Sequence, residues 1–547
     1  MRRAFRYVVG IAAVLASFSC QAAVTLDGRS VTPEAIALVA DGEAVEVPAS
    51  SLARVAKGHD VVLAAAADGQ RIYGLTVGVG LNKDRQMVDA KGRLTPEVID
   101  ASMRFNAALL RAHSAGVGAD MDIRDARAAM AVRLNQMLVG AAGVQPAVAD
   151  MYAQLLNHGI TPAIPSNGSM GEADITLLAH VGLTMMGEGD VYYRGVKTDA
   201  SHALSEEDIQ PIKPWGKDAL GILSSNAYTT GMASLALVDL TQLNKMAKLV
   251  YAVALQGLNG NVSPFLEDSL SLHPFPHVML TGAALRSLLA GSSLWQRDDA
   301  RALQDPLSFR DAPYLLAELD RSSEEARNQI MIQLNSSDDN PGVSVGVKPK
   351  SDLYQARRSY VNRDGLTGAV LPTANFEPLP LVLTFEEMGI AIAHNSLASA
   401  QQIIKLNDPR FTHLSRFLGT DNTLHAFGAM EKPPVVLAMA NKELAMPVSL
   451  DYLPVAGDIE DIATNAPQVV RRVRNEIDNH FQLLGIELVS AAQAVDLRKR
   501  QPGGFSASPQ TEMFMGAFRQ IVNFRDTDRP FTSEFRKAAI FLKQYSN

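Results

Sequence analysis

Asn167-Gly168-Ser169-Met170-Gly171-Glu172-Ala173-Asp174-Ile175-Thr176-Leu177-Leu178-Ala179-His180 is the stretch from which the rest of this chain can be read. It opens in a loop, since Ser166-Asn167-Gly168 is a cluster of helix breakers. A serine or a cysteine can cyclise and dehydrate into a backbone electrophile only where a glycine follows it. Here Ser169 is followed by Met170 and Glu172 by Ala173, and no Ser-Gly or Cys-Gly dipeptide occurs anywhere in the chain. No electrophilic group of that kind can form, and the expected cofactor is none.

Outward from this loop, composition sets the class. The chain has 547 residues, 47% of them hydrophobic, and a mean hydropathy of +0.02, as in a well-filled globular protein. A net charge of −8 without a long basic run argues against a nucleic-acid surface. Helical periodicity dominates: Asp125 to Val139, Ser234 to Leu255, Leu381 to Leu406 and Asp461 to Leu497 carry apolar residues at three- and four-residue spacing. Strand-like pieces are few: Ala23 to Leu26, Ala44 to Val47 and Val343 to Val347. Breakers fall in loops such as Gly342 to Lys350 and Gln501 to Gly504, and no linker divides the chain. The expectation is an all-α fold, a long central helix bundle with a small N-terminal mixed region. A single catalytic domain would span 23–547, with active-site loops in 23–220, the bundle in 221–500 and a C-terminal segment in 501–547.

The first residues read as an address. Met1-Arg2-Arg3 and Arg6 form a basic start, Tyr7 to Phe18 an apolar run, and Cys20-Gln21-Ala22-Ala23 a small-residue exit. Such a pattern is a secretory signal peptide, 1–22, too short to span a bilayer. A periplasmic protein is expected; a lipoprotein through Cys20 is the weaker alternative, because Ser17-Phe18-Ser19 lacks the usual aliphatic residue. Cys20 is the only cysteine, so the mature chain has no disulfide, thiolate nucleophile or Cys-ligated zinc. No other segment is apolar for long enough to cross a membrane.

The opening stretch resembles the G-S-x-G-A-S-G-D-L-x-P-L-A-H of the histidine and aromatic amino-acid ammonia-lyases. In that family the Ala-Ser-Gly triplet becomes the methylidene-imidazolone electrophile (MIO); here Glu172-Ala173 stands in its place. The likeness continues in order along the chain. Tyr73-Gly74-Leu75-Thr76-Val77-Gly78-Val79-Gly80 is similar to the family's tyrosine loop, Arg111 to Gly116 to its S-H-x-x-G step, and Arg133-Leu134-Asn135 to its R-x-N helix. Gln304 to Arg310 parallels Q-D-x-Y-S-x-R, Asn335 to Pro341 parallels N-x-x-S-D-N-P, Ala374-Asn375-Phe376 echoes G-N-F, and Asp458 to Asp461 falls on Q-E-D. Gly485-Ile486-Glu487-Leu488 begins a late helix of the family. The resemblance implies a homotetramer whose active sites are each built from three chains.

It also implies roles. Tyr73 would remove the substrate's β-proton, which requires help for a phenol of ordinary pKa near 10. Arg310 would grip the substrate carboxylate in a bidentate pair. Leu307 stands where the family keeps a tyrosine that assists the amine chemistry, a second loss that accompanies the missing triplet. The family asparagine aligns with Ser224 without a gap, or with Asn226 two residues on; Asn226 is favoured. Asn375 and Phe376 would line the pocket and His113 its edge. Glu460 aligns with the glutamate that serves the imidazole in histidine-specific members. Lys432 falls in a helix lining the ring side, where a thione sulfur or thiolate would answer its charge. For each, the bland alternative is an ordinary turn, ion pair or packing residue. His273 and His277 lack a carboxylate partner at ligand spacing, so packing is expected; Asp338-Asp339 reads as a structural turn. Glu172 could salt-bridge or face a cationic substrate group.

An amine is a poor leaving group, and MIO remedies this by alkylating it. A quaternary ammonium needs no such help, since trimethylamine departs neutral. The expected function is therefore MIO-independent C–N elimination, releasing trimethylamine from ergothioneine to give thiourocanate, as an ergothionase does. A catalytically inactive periplasmic homologue that binds an amino acid or betaine, a conventional MIO-dependent lyase or aminomutase, and a purely structural assembly protein remain as alternatives.

Overall fold

The computed structural model describes residues 23–77 and 96–546. The N-terminal address and Gly78-Val79-Gly80 lie outside the described residues. Eight helices carry the argument: α1 (Ile123–Met137), α2 (Ile175–Met185), α3 (Ala227–Leu258), α4 (Ala312–Leu334), α5 (Leu379–Leu406), α6 (Lys432–Leu444), α7 (Ala466–Lys499) and α8 (Thr532–Gln544). At 1.5 Å per residue the 32-residue α3 and 34-residue α7 are each about 50 Å long. They pack along one another with α5 beside them, and the chain is mainly helical, as the periodicity predicts.

The close approach of α3 and α7 depends on small residues. A Cβ on Gly257 of α3 would stand 2.9 Å from the Cβ of Ala494 on α7. The main apolar core cluster joins buried residues from Leu26 to Leu542, with a smaller separate cluster around Val61 and Val343. Within it, α3 ends where Asn259 turns left-handed, at φ 64°. At its other end α7 starts five residues later than its periodicity suggests: Asn465 is left-handed at φ 51° and Pro467 fixes the first turn.

Short strands occupy the margins. Val24–Thr25 pairs in parallel with Val45–Glu46. Gly342–Val345 and Tyr360–Arg363 flank Leu366–Leu371 in an antiparallel sheet. Val117–Asp120 pairs with Pro165–Asn167, and this pairing fixes the entry into the Ser169–Asp174 turn. Among the described residues no helix is long and apolar enough to cross a membrane.

Candidate active site

The turn after Asn167 is clamped onto the start of α7. Arg471 donates to Asn167 Oδ1 (2.9 Å) and to the Ser166 carbonyl (2.8 Å), and the Asn465 amide donates to the Met170 carbonyl (2.7 Å). Gly171 has φ 94°, and a Cβ there would lie 2.6 Å from the Ala466 nitrogen. Glycine is required on both counts. Ala173 is left-handed too, at φ 62°, a conformation that costs a non-glycine residue free energy and is held by its surroundings. Its amide donates to Asn226 Oδ1 at 3.0 Å.

Asn226 sits at the head of α3, fully buried. Its own amide donates to Asp338 Oδ2 (2.8 Å), and its Nδ2 donates to the Phe376 carbonyl. The Asn226 carboxamide reaches the Glu172-Ala173 turn and the Asn375-Phe376 turn together. Asp338 and Asp339 belong to a fully buried ion cluster with Arg133 (3.2 and 2.8 Å) and Lys217 (3.4 Å). They form the floor beneath Asn226, consistent with a structural role.

Above this floor stand three carboxyl groups from three segments. Burial is the main cause that pushes the Glu172 carboxyl up to about 8; the charge of Glu377, a hydrogen bond to Glu377 and the charge of Glu460 follow. Glu172 Oε1 is buried without a hydrogen-bond donor, while the Glu377 carboxyl lies close enough to hydrogen-bond the group. Glu377 is tied down at its other side by the Leu379 amide, 2.8 Å from Oε1. Glu460 lies across an isolated bridge from Val455, and its carbonyl accepts from the Tyr452 hydroxyl. The Tyr452 phenol is raised by partial burial, then by the charge of Glu460 and, further off, of Glu172.

Tyr73 is half-buried, next to Gly74. Gly74 has φ 76°, and a Cβ on it would meet Leu220 Cδ2 at 2.6 Å, so this loop presses on the chain just ahead of Asn226. His113 ends the helix Pro96–His113, its Nδ1 2.9 Å from the Leu109 carbonyl, four residues before the strand that pairs with Pro165–Asn167. Phe376 is half-buried and Asn375 exposed on the rim.

Arg310 and Lys432 are elsewhere. The short turn bearing Arg310 docks on α5 through Gln402, whose Nε2 donates to the Ser308 carbonyl at 2.6 Å. Gln402 is 23 residues beyond Leu379, about 35 Å along the helix from the Glu377 end. Lys432 follows Met430, whose sulfur accepts from Ser490 Oγ at 3.5 Å. Ser490 is 24 residues past Ala466, again about 36 Å from the turn. α5 and α7 run in the same direction, with Gly389 against Glu476 and Ser396 against His480. Both basic residues therefore lie at one end of the bundle, and the carboxyl cluster lies at the other. Arg310 is partly exposed and donates to Gln304 Oε1 at 2.7 Å; Lys432 is exposed.

The sequence singled out neither Glu377 nor Tyr452. Glu377 follows Asn375-Phe376 directly, so the motif pointed at it; its significance appears only when Glu172 is seen opposite. Among the described residues no group of three or more His, Cys, Asp or Glu side chains is arranged to hold a metal ion.

Residues 31–520 match the family described as aromatic amino acid lyase. The chain is 29% identical over 546 residues to the MIO-dependent tyrosine 2,3-aminomutase of Streptomyces globisporus, covering 95% of each. It is 30% identical over 488 residues to a histidine ammonia-lyase of Chloroflexus aurantiacus, covering 88% of each. Among solved structures it is similar to the ergothioneine-degrading ergothionase of Treponema denticola, captured with desmethyl-ergothioneine sulfonic acid. The TM-score is 0.83 and the identity 32%, covering 95% of this chain and 99% of that one.

Proposed function

The chain belongs to the aromatic amino acid lyase family and is a carbon–nitrogen lyase, and from that premise we propose that it eliminates trimethylamine from ergothioneine to give thiourocanate. The observation that carries this proposal is the Glu172–Glu377–Glu460 carboxyl cluster at the turn where the family makes its electrophile. The residues of this turn do not fit that group, since Glu172-Ala173 offers neither the hydroxyl nor the glycine its formation needs. They do fit a fixed positive charge. A trimethylammonium cannot be deprotonated and cannot donate a hydrogen bond, so carboxylates and ring faces are its natural partners.

In the proposed reaction the Tyr73 phenolate takes the β-proton. The electron pair of the C–H bond becomes the new C=C bond, and the pair of the breaking C–N bond leaves with nitrogen as neutral trimethylamine. Glu172 and Glu377 face the positive charge of the substrate's trimethylammonium in the ground state, and Phe376 offers an aromatic face. Glu460 accepts the ring N–H, Lys432 stabilises negative charge spreading onto the thione as the proton leaves, and Arg310 pairs with the substrate carboxylate. His113 and Asn375 stand at the pocket edge.

Since one chain carries Arg310 and Lys432 some 35 Å from Glu172 by helix length, we propose that each site is completed by neighbouring chains of a homotetramer. We propose export to the periplasm on the N-terminal sequence alone.

The test is proton NMR of the purified protein with ergothioneine, histidine and histidine betaine in turn. Trimethylamine and a vinyl pair from ergothioneine are expected. Turnover of unmodified histidine would overturn the proposal, because an unalkylated primary amine needs the missing electrophile.

A further inference from the structure

Asn226 heads the 32-residue helix α3, the place where an asparagine side chain ordinarily accepts from the amide two or three residues on. It does not do so here. Its backbone, at φ −87° and ψ 27°, is outside the extended region that lets a side chain fold back over its own helix, and no capping bond forms. Three amides at the head of the helix are satisfied by others. Thr229 N donates to Asp174 Oδ2 at 2.9 Å, Ala227 N to Ser225 Oγ at 3.0 Å, and Asn226 N to Asp338 Oδ2 at 2.8 Å.

Asp174 is completely buried, and both its oxygens are used. Oδ1 accepts from Ser169 Oγ (2.6 Å) and Thr229 Oγ1 (3.1 Å), while Oδ2 serves the helix amide. A carboxylate at a helix N-terminus also meets the positive end of the helix dipole. Asp174 therefore caps α3 from a separate segment of chain.

What this releases is the Asn226 carboxamide. Its Oδ1 holds the amide of Ala173, the neighbour of Glu172, and its Nδ2 holds the carbonyl of Phe376, the neighbour of Glu377. One side chain thus ties together the two backbone segments whose carboxyl groups face each other. We propose that Asp174 is a positioning residue that takes over the capping of α3 so that Asn226 can clasp the Glu172 and Glu377 turns at a fixed separation. The clasp is a matter of geometry; its value for a cationic substrate rests on the function proposed above.

Hydrogen exchange read by mass spectrometry on the full chain without substrate tests it, using peptides that resolve Ala173 and Thr229, in N226A, D174N and the double variant. D174N preserves size, but an amide cannot accept on both sides as the carboxylate does. N226A should speed exchange at Ala173 by about tenfold while leaving Thr229 protected, the loss of one buried hydrogen bond that is not a cap. D174N should speed both, and the double variant should exchange at Ala173 no faster than N226A. In turnover, both single variants should raise KM for ergothioneine more than they lower kcat. Deprotection of Thr229 in N226A would make Asn226 an ordinary cap and overturn the proposal, a result that stands even if D174N fails to fold. Additive effects at Ala173 would overturn it equally. A wild-type protein inert toward ergothioneine but showing the expected exchange pattern would remove the proposed substrate and leave the clasp in place.

Discussion

Gly389 on α5 makes room for Glu476 on α7: a Cβ at residue 389 would lie 2.9 Å from Glu476 Oε1. Neither oxygen of this buried carboxyl meets a donor, and burial pushes its pKa up to about 9, with Arg472 a weaker opposing influence. Glu487, eleven residues or three turns along the same helix, is also fully buried, and burial pushes it to about 8 against the weaker opposing influence of a hydrogen bond to Ser399. Two neutral acids are thus packed inside the bundle at neutral pH.

Alkaline pH should therefore loosen the fold. Both groups hold a proton in the folded state across a range where the unfolded chain, with carboxyls near 4.5, has lost it. Their contribution is fully present below that lower value and is lost as pH rises through 8 to 9. Thermal unfolding should move to lower temperature between pH 6.5 and 9.5, and Glu476→Gln, which cannot ionise, should flatten that slope. An equal slope in the variant would show that the carboxyl is hydrated after all.

Affinity for a cationic substrate should move the opposite way. Glu172 is largely protonated in the free protein below about 8, so a cation must displace a proton to pair with it. KM for ergothioneine should fall as pH rises from 6.5 toward 8, and binding should release protons, measurable by calorimetry in buffers of different ionisation enthalpy. Glu172→Gln should raise KM about tenfold, the scale of one partly buried charge contact, and abolish the pH trend. A variant with unchanged KM would remove Glu172 from the binding site.

Tyr73→Phe removes the proposed base. The expected result is a loss of kcat of roughly 10² to 10⁴, the usual range for a general base, with substrate binding retained. Retained turnover would transfer the proton abstraction to another group.

Chain sharing is open to a mixing experiment. R310A and E172Q should each be impaired alone. If Arg310 and Glu172 of one site come from different chains, co-expression should restore intact sites, about a quarter of the total for random mixing. No recovery in mixed assemblies would mean that each site draws both residues from one chain.

Much of this was legible in the sequence. The helices at Leu379–Leu406 and Ala227–Leu258 follow from apolar spacing, and the Glu172-Ala173 replacement is plain in the letters. The strands at Leu366–Leu371 and Val117–Asp120 were not, because runs this short that contain glycine carry little period-two signal. Motif order could nominate Arg310 and Glu172 but not their opposite ends of the bundle, since that depends on which way α5 and α7 run. Glu377 escaped notice for a different reason: its chemistry comes from a partner some two hundred positions away in the chain.

The Ser169–Asp174 turn also bears on how such a chain can change. A lyase that builds its electrophile from its own backbone asks two things of that turn, that it process itself and that it then serve the reaction. With Glu172-Ala173 in place only the second demand persists. Substitutions at 172 and 173 that would have blocked self-processing no longer carry that penalty, so, outside the packing demands on Gly171 and Asp174, this turn is where a change of leaving group could be engineered with few accompanying changes.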